Sequence, residues 1–452
     1  MTSTMPLNHT HDPAATSWLA SANAASGDFP IQNLPFAVFR RNGSAEPFRG
    51  GVAIGDQVLD LAALSRTEGL QGLAAQAARL CAQPVLNDFL ALGPPAWQAL
   101  RHALFALLHS TAASTTEALV RACLLPQSEV DYAVPTRIGD YTDFYTSIHH
   151  AHNVTQLVKP GEPITPNFQW LPIAYHGRAS SIGVSGQRFR RPLGQAMAPG
   201  ANAPVHGPCT RLDYELEVGV YIGPGNAQGE PVPLDQAESH IFGICLLNDW
   251  SARDIQFWEM APLGPFLGKN FATTISPWIV TLEALAPYRL AWSPPAGAAQ
   301  PLAYLDAASN RQAGALDISL EVWLDTAQRR ASNNGLGCAP ARLSRTSFKH
   351  QYWTVAQMVA HHTMGGCNLQ SGDLLGSGTI SGPGPAEAGA MIELTAGGRQ
   401  PVTLAGGHGQ PEQRGFLQDF DTVILTGWCE APGRARIGFG ECRGQVLPAL
   451  NA

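Results

Sequence analysis

Acidic residues alternate with apolar ones in the segment 212–220, which reads LDYELEVGV. Successive side chains of a β-strand point to opposite faces, so Asp213, Glu215 and Glu217 share one face. The Cα atoms of Glu215 and Glu217 then lie about 6.5–7 Å apart, and their carboxylates repel unless a proton or a cation lies between them. Asp249 follows in the same region, which favours a divalent cation. A half-exposed edge strand whose acids face water is the alternative.

Three histidines lie within four residues, at His149, His150 and His152. This spacing converges poorly on one zinc ion, and no cysteine or fixed carboxylate pattern accompanies it. One of the three is therefore predicted to act as a general base, because imidazole is suited to taking a proton from water. We interpret the other two as polar surface or turn residues.

An apolar run over 241–247 predicts a buried strand that delivers Asp249 at its end. Ser251 is predicted to cap a helix that follows. Arg253 and Gln256 would share one face of that helix and could donate hydrogen bonds to a developing oxyanion. A salt bridge at the start of the helix is the alternative interpretation.

Two further charged residues stand in apolar surroundings. Lys269 closes the segment 264–270, which is one residue short of a phosphate loop and has Asn where that loop needs Ser or Thr. Nucleotide binding is therefore rejected, and Lys269 is interpreted as a buried cation. Glu393 lies in the short apolar, strand-like segment 391–394 and needs a partner, either a histidine that it orients or a structural arginine.

The composition excludes several classes of protein. Among the 452 residues, 45% are hydrophobic and 14% charged, and the net charge of −7 offers no basic surface for nucleic acid or an anionic membrane. The sequence contains no signal-peptide pattern and no apolar run of about 20 residues, so a cytoplasmic protein is expected. Eight scattered cysteines are expected to be reduced, buried thiols.

The 46 glycines and 35 prolines favour a β-rich fold of short strands and tight turns. Gly55 and Asp56 predict a hairpin turn, and apolar spacing predicts helices over 96–108 and 354–365. The predicted organisation is a poorly ordered segment 1–27, a small N-terminal domain with helices over 28–134, and a catalytic domain over 135–452.

Taken together, these segments resemble the fumarylacetoacetate hydrolase family. The resemblance lies in the segments 28–35, 140–145, 175–181, 248–256, 262–269, 378–383 and 436–440. It implies a mainly β fold, with an SH3-like barrel followed by a larger mixed β-sandwich roll, assembled as a homodimer. It implies hydrolysis of fumarylacetoacetate to fumarate and acetoacetate at the end of tyrosine breakdown. No nucleic acid or membrane partner is expected.

The resemblance also assigns roles to individual residues. The implied metal carboxylates are Asp143, Glu215, Glu217 and Asp249, with Lys269 and Thr273 at a second cation position. The implied catalytic residues are His150 as the general base, Glu393 as its orienting partner, and Arg253, Gln256 and Lys269 as oxyanion donors. The implied substrate-lining residues are Tyr145, Lys159, Tyr175, Gln256, Met260 and Thr379. Ligation by oxygen alone suits Ca²⁺ or Mg²⁺.

Two of these positions depart from the family pattern. Lys159 stands where the family commonly has Arg, and Met260 stands where it commonly has Tyr. Lysine keeps the charge but loses the bidentate fork, and methionine loses a hydroxyl donor. A hydrolase for another acylpyruvate or diketo acid therefore stays open, as does a catalytically silent metal-binding scaffold.

Overall fold

The computed structural model describes residues 6–331, 338–404 and 411–450. The strands of the N-terminal part are β1 (Phe36–Arg41), β2 (Arg49–Ile54), β3 (Gln57–Asp60), β4 (Leu124–Pro126) and β5 (Val130–Ala133). They form one antiparallel sheet in the order β4-β3-β2-β1-β5. The predicted hairpin joins β2 to β3, and Gly55 in its two-residue turn has a φ of 56°, which glycine adopts without strain.

Helices fill the long connection between β3 and β4. They are α1 (Leu61–Leu64), α2 (Gly72–Leu80), α3 (Asn87–Leu90), α4 (Pro94–Leu108) and α5 (Ser114–Arg121). The helix α4 confirms the one predicted over 96–108. It begins at Pro94, whose fixed φ suits a first helical turn, and it buries Trp97, Leu100 and Leu104 on one face.

The N-terminal segment differs from the poorly ordered chain expected over 1–27. Short 3-10 turns lie at His9–His11 and Ala20–Asn23. Asn8 donates from Nδ2 to Glu283 Oε1 at 2.8 Å, which fastens this segment to the larger part of the molecule. Composition alone does not reveal such a long-range hydrogen bond. Residues 1–5 lie outside the described part of the chain.

The two parts of the molecule are joined by buried polar contacts. Asn33 donates from Nδ2 to the carbonyl of Gly438 at 2.7 Å, and the Asn33 carbonyl accepts a hydrogen bond from Arg101 at 2.6 Å. An isolated antiparallel bridge pairs Phe36 with Ile279. The chain around Asn33 is therefore fixed from both sides.

The larger part contains most of the strands. They are β6 (Tyr141–Tyr145), β7 (Ile173–His176), β8 (Ile182–Val184), β9 (Gln187–Arg190), β10 (Leu193–Ala196), β11 (Val205–Pro208), β12 (Leu212–Asp213), β13 (Leu216–Ile222), β14 (Ile241–Asp249), β15 (Ser251–Ala252), β16 (Thr273–Ile275), β17 (Val280–Thr281), β18 (Arg289–Leu290), β19 (Ala315–Leu316), β20 (Ser319–Asp325), β21 (Ala341–Ser347), β22 (Leu374–Gly376), β23 (Val402–Leu404), β24 (Glu412–Arg414), β25 (Thr422–Cys429) and β26 (Ile437–Leu447). Its helices are α6 (Ile148–Val158), α7 (Arg253–Glu259), α8 (Leu282–Leu285), α9 (Ala308–Ala313), α10 (Ala327–Ala331), α11 (Val355–Thr363) and α12 (Met391–Leu394).

Two mixed sheets dominate this part. The eight-stranded sheet follows the path β7-β6-β22-β13-β14-β16-β8, with β17 beside β14. Its pairs β6–β22 and β8–β16 are parallel, and the others are antiparallel. The five-stranded sheet has the order β21-β20-β25-β26-β9, and only its β9–β26 pair is parallel.

These two sheets pack closely against each other. A Cβ on Gly444 in β26 would lie 2.4 Å from Cζ2 of Trp250, and one on Gly427 in β25 would lie 2.9 Å from Cδ2 of Leu246. Glycine at these positions lets β25 and β26 approach β14. The prediction of a strand-rich chain with a small N-terminal part and a larger C-terminal part is confirmed. The SH3-like detail stays a prediction.

Two local predictions are wrong. Ser251 does not cap a helix, because it lies in β15 and Ala252 precedes the first turn of α7. Glu393 lies in the short helix α12 rather than in a strand. Four apolar residues are too few for periodicity to distinguish the two. The helix predicted over 354–365 is confirmed as α11, which Thr354 caps.

Across the described residues, no helix combines the length and the apolar character needed to cross a bilayer. The eight cysteines are free thiols, as predicted. Six of them are buried, but Cys367 is exposed and Cys338 is half-buried.

Candidate active site

Three carboxylates from separate strands meet at one point of the eight-stranded sheet. Asp143 in β6, Glu217 in β13 and Asp249 at the end of β14 each place one oxygen within 4.8 Å of the others. We call these residues the acidic triad. Gly376 in β22 lies between them, and a Cβ there would be 3.0 Å from Glu217 Oε2 and 3.2 Å from Asp143 Oδ1. This glycine leaves the space in which the carboxylates approach each other.

The electrostatics of the acidic triad favour a bound cation. Burial raises the pKa of Asp143 and of Glu217 well above the usual range, and the neighbouring carboxylates raise both further. Asp143 Oδ1 and Glu217 Oε1 are buried, and no described residue donates a hydrogen bond to either. Buried acceptors without a donor are unfavourable, and hard divalent cations bind clustered carboxylate oxygens. The acidic triad could therefore hold a metal ion.

The carboxylate of Glu215 lies beside the acidic triad rather than in it, which differs from the single point of convergence expected with Glu217. The segment is broken into β12 and β13, and Glu215 lies at the break. Arg253 Nη1 donates to Glu215 Oε1 at 2.6 Å, and Lys269 Nζ contacts Glu215 Oε2. Burial alone would raise the pKa of Glu215, but the charges of Lys269 and Arg253 hold it below its usual range.

The alternative of an edge strand with acids facing water is wrong. The strand β13 is hydrogen-bonded to β14 on one side and to β22 on the other. Asp213, Glu215 and Glu217 are all buried. Buried carboxylates require compensation by charge or by hydrogen bonds, so this segment belongs to an internal site.

Lys269 is the buried cation that its apolar surroundings predicted. Its Nζ lies 2.5 Å from Asp249 Oδ2 and also contacts Glu215. Burial alone would lower the pKa of Lys269, but the two carboxylates raise it above its usual range. Thr273 in β16 donates to Asp249 Oδ1 at 3.4 Å. The ammonium group therefore compensates part of the charge at this position.

The helix α6 carries the histidines, and the structure separates them. Ser147 caps α6, and His150 is buried, with its Nδ1 2.7 Å from Glu393 Oε1. His149 is half-buried near His350, and His152 is exposed. Of the three, His150 is the one in contact with a buried carboxylate.

Glu393 is held by three different side chains. Besides His150, Asn153 donates to its Oε2 at 2.7 Å, and the single hydroxyl of Ser381 is shared between its two oxygens, at 2.9 and 3.0 Å. Burial alone would raise the pKa of Glu393, but His150 and these donors lower it. Sequence reasoning missed Asn153 and Ser381. The spacing of three residues from His150 on one helix could have indicated Asn153.

The guanidinium group of Arg253 is nearly surrounded by acceptors. Its Nε donates to Asp213 Oδ2 at 3.0 Å, and its Nη1 also donates to Gln256 Oε1 at 3.3 Å. Its Nη2 is buried and has no acceptor within the part of the chain that the structure describes. Burial alone would lower the pKa of Arg253, but Glu215 and Asp213 raise it. One NH2 group of this cation is thus left without a hydrogen-bond acceptor among the described residues.

Two family models match the chain and together span nearly all of it. The model for the fumarylacetoacetase N-terminal domain matches residues 32–135, and the model for the fumarylacetoacetate hydrolase C-terminal domain matches residues 141–447. The chain belongs to the fumarylacetoacetate hydrolase family.

Curated members of the fumarylacetoacetate hydrolase family resemble the chain over almost its whole length. The fumarylacetoacetase of Oryza sativa subsp. japonica is 45% identical, and the match covers 94% of this chain and 96% of that protein. The human fumarylacetoacetase is 46% identical, with coverage of 94% and 98%. A solved HpcE-type structure from Mycobacterium smegmatis has a TM-score of 0.50 at 18% identity, covers 91% of this chain and 99% of its own, and shows the shared fold.

Six substrate-lining positions are implied by the fumarylacetoacetate hydrolase family. Gln256 accepts a hydrogen bond from Arg253, and the other five fall into two sets. Tyr145 packs edge-on against His150, with ring centroids 5.5 Å apart. Tyr175 in β7 pairs with Asp143 in β6, and Thr379 is buried just after β22. Tyr145 thus lies beside the histidine and Tyr175 beside Asp143, while Thr379 follows Gly378, whose N–H donates to Glu217.

Lys159 and Met260 form the second set. Lys159 follows the last residue of α6, and its largely exposed ammonium lies 3.6 Å from Glu162. Met260 follows the last residue of α7 and is 39% exposed. Within the part of the chain that the structure describes, neither is gathered with the acidic triad. Both departures from the family pattern therefore fall on exposed residues.

Proposed function

We propose that the chain is a metal-dependent hydrolase that cleaves the carbon–carbon bond of fumarylacetoacetate, giving fumarate and acetoacetate, the reaction that ends tyrosine breakdown. The observation that carries this proposal is the buried pair of His150 and Glu393, together with the acidic triad. The relatives named fumarylacetoacetase, which match almost end to end, support the choice of substrate.

His150 is proposed to activate water. Glu393 contacts Nδ1 of its ring, so the proton is held there and Nε2 is the nitrogen that takes a proton from water. Glu393 also stabilises the imidazolium that results. The hydroxide adds to the carbonyl carbon that adjoins the fumaryl group.

The alkoxide formed by this addition needs fixed donors. Arg253 offers the buried Nη2 group, and Gln256 and Lys269 lie beside it. Donors aimed at a developing charge in a buried site are among the largest contributions to catalysis. The carbon–carbon bond then breaks, its electron pair leaves with acetoacetate as an enolate, and the His150 imidazolium returns the proton to that carbon.

The acidic triad is proposed to hold Ca²⁺ or Mg²⁺, with Glu215 next to it and Lys269 and Thr273 at the second cation position. Among the described residues, five buried carboxylates, including Asp213, are compensated by the cations of Lys269 and Arg253. A divalent ion would balance most of the remaining charge. When bound, such an ion supplies Lewis-acid stabilisation of the diketone and enolate oxygens.

Tyr145, Tyr175, Gln256 and Thr379 are proposed to line the substrate from the inner side, with Lys159 and Met260 contributing from the exposed side. The ring contact of Tyr145 with His150 and the pairing of Tyr175 with Asp143 support the inner set. The positions of Lys159 and Met260 directly after α6 and α7 support the exposed set.

Finer features of the architecture are part of the same proposal. They are an SH3-like barrel within residues 28–134, a β-sandwich roll within 135–452, a homodimer and a cytoplasmic location. The matched family ranges, 32–135 and 141–447, support these boundaries.

An ultraviolet assay of fumarylacetoacetate consumption, run with and without a chelator, tests the function. His150→Ala should lower kcat by about 10³-fold or more, because it removes the base, while calorimetry should show unchanged cation affinity. His152→Ala is the matched control on the same helix and should behave as the natural protein. Retained turnover in His150→Ala would rule out its role as base.

A second candidate is a hydrolase for another acylpyruvate or diketo acid, which the residues at 159 and 260 favour. Turnover of acylpyruvates, compared with that of fumarylacetoacetate in the same assay, separates the two. Faster turnover of acylpyruvates would show that an acylpyruvate, rather than fumarylacetoacetate, is the substrate. If neither compound is consumed, a silent scaffold is favoured.

A further inference from the structure

Asp213 has no role in the proposed chemistry, yet both of its carboxylate oxygens are fully hydrogen-bonded. It is completely buried. Its Oδ1 accepts from the N–H groups of Tyr214 and Met391, both at 2.8 Å, and its Oδ2 accepts from Ile392 N–H and Arg253 Nε, both at 3.0 Å. A carboxylate has about four acceptor positions, and here all four are used.

Two of these bonds stabilise the start of the helix α12. The residue before that helix is Ala390, which has no side-chain oxygen to accept from the first N–H groups. Asp213 supplies the missing acceptor from a segment 178 residues away, through Met391 and Ile392. The next residue of α12 is Glu393, so the position of this carboxylate depends on how the helix starts.

The hydrogen bond between Asp213 and Arg253 Nε fixes the orientation of the guanidinium group. Asp213 holds Nε of Arg253 while Glu215 and Gln256 hold Nη1, and together they set the plane of the guanidinium. The direction of the buried Nη2 is thereby fixed, although no described residue accepts a hydrogen bond from it. A guanidinium group whose Nε and Nη1 are both hydrogen-bonded has little freedom to rotate.

We propose that Asp213 is a positioning residue that fixes the oxyanion donor Arg253 and the helix that carries Glu393 in one relative arrangement. The inference rests on the proposed function, because it concerns the groups assigned to water activation and charge stabilisation. Asp213 contacts neither the acidic triad nor His150 through the hydrogen bonds described above, so it acts on turnover through its two partners.

Asp213→Asn tests this inference, because it keeps the shape but turns one acceptor into a donor. We expect kcat to fall by about 10²-fold, since small misplacements of catalytic groups have effects of this size, with KM and cation affinity within about twofold. Asp421→Asn is the matched control: Asp421 is equally buried, accepts from Arg414 and from a backbone N–H, and lies outside the site. Its kcat should not change.

A rescue distinguishes positioning from a general loss of structure. Ala390→Ser in the Asp213→Asn chain returns a hydroxyl acceptor to the start of α12 and should restore part of kcat. Should Asp213→Asn not fold, the same kinetics on this double variant decide the question. A low kcat with unchanged KM would support the inference, and a kcat equal to that of the natural chain would overturn it.

Double-mutant cycles complete the test. The effect of Asp213→Asn should be smaller in a Glu393→Gln chain and smaller in an Arg253→Lys chain, because each removes a group through which Asp213 acts. Additive effects in both cycles would overturn the inference. The natural chain is assayed alongside: if it does not turn over fumarylacetoacetate, the proposed function fails, whereas normal turnover with an unaffected Asp213→Asn variant refutes this inference alone.

Discussion

Arg414 and Asp421 form a buried ion pair in which both carboxylate oxygens are bonded, whereas the acidic triad leaves buried oxygens without a donor. Arg414 Nε lies 2.9 Å from Asp421 Oδ2, and its Nη2 lies 3.0 Å from Oδ1. In the triad, Asp143 Oδ1 and Glu217 Oε1 have no hydrogen-bond donor among the residues that the structure describes. Both groups are buried in the larger part of the molecule, so depth of burial does not distinguish them.

The difference separates a stabilising cluster from a binding cluster. A bidentate arginine–carboxylate pair compensates its own desolvation, and breaking it leaves a buried charge unpaired. Crowded carboxylates without donors oppose folding until a proton or a cation neutralises them. Opposite effects on stability are therefore expected from removing one negative charge in each cluster.

Glu217→Gln should give the largest effect, on cation binding. Removing one charged ligand should weaken cation affinity by roughly 10²-fold or more, since even partners behind the ligands change metal affinity by 10–100-fold. The cation-free protein should become more stable by about 1–2 kcal/mol, because one uncompensated charge disappears. Calorimetric titration and thermal unfolding in chelator measure the two effects.

The natural chain in the same chelator is the control for Glu217→Gln. The hydrogen bond from Gly378 N–H to Glu217 Oε2, at 2.9 Å, can be kept by the glutamine oxygen, so the backbone there is not disturbed. A cation-free Glu217→Gln protein that is less stable than the natural one would break the comparison.

Asp421→Asn should have the opposite effect on stability. Loss of the Asp421 charge leaves the buried positive charge of Arg414 paired with Glu412 alone. The free energy of unfolding should therefore fall by about 3 kcal/mol. Cation affinity and kcat should stay unchanged, because the pair lies outside the site. Chemical denaturation measures the first quantity, and a change in cation affinity would contradict the separation of the two clusters.

The smallest expected effect is the pH dependence of cation-free stability. The folded state raises the pKa of Asp143 and Glu217 above their ordinary values of 3.8 and 4.5. Their contribution to stability is therefore full below those ordinary values and is lost as the pH rises through the raised pKa values. Bound cation reverses this trend, so the difference in Tm between loaded and chelated protein should widen from about pH 5 to about pH 8. A constant difference would contradict the raised pKa values.

Local patterns in the sequence could predict the strand that delivers Asp249 and the buried character of Lys269, and the structure confirms both. They could not predict the triad itself. Asp143 and Glu217 meet because β6 and β13 both pair with β22, which lies far along the chain, and the order of strands in a sheet is not encoded in local periodicity. Family resemblance supplied that step.

The partners of Glu393 show the same limit. A strand was predicted from four residues, and the structure has the helix α12, whose start depends on Asp213 from another segment. Ser381 reaches Glu393 through a turn that no periodic pattern describes. Asn153 was within reach of sequence reasoning, because helical spacing places it on the face of His150.

The hydrogen bond from Asn33 to Gly438 joins residues that are 405 positions apart. During synthesis, Asn33 emerges from the ribosome long before Gly438. The N-terminal part of the chain therefore lacks one of its native partners until synthesis is nearly complete. Contacts of such separation also slow folding, because a long loop must close first. Newly made chains truncated before Gly438 should therefore be the ones that molecular chaperones retain.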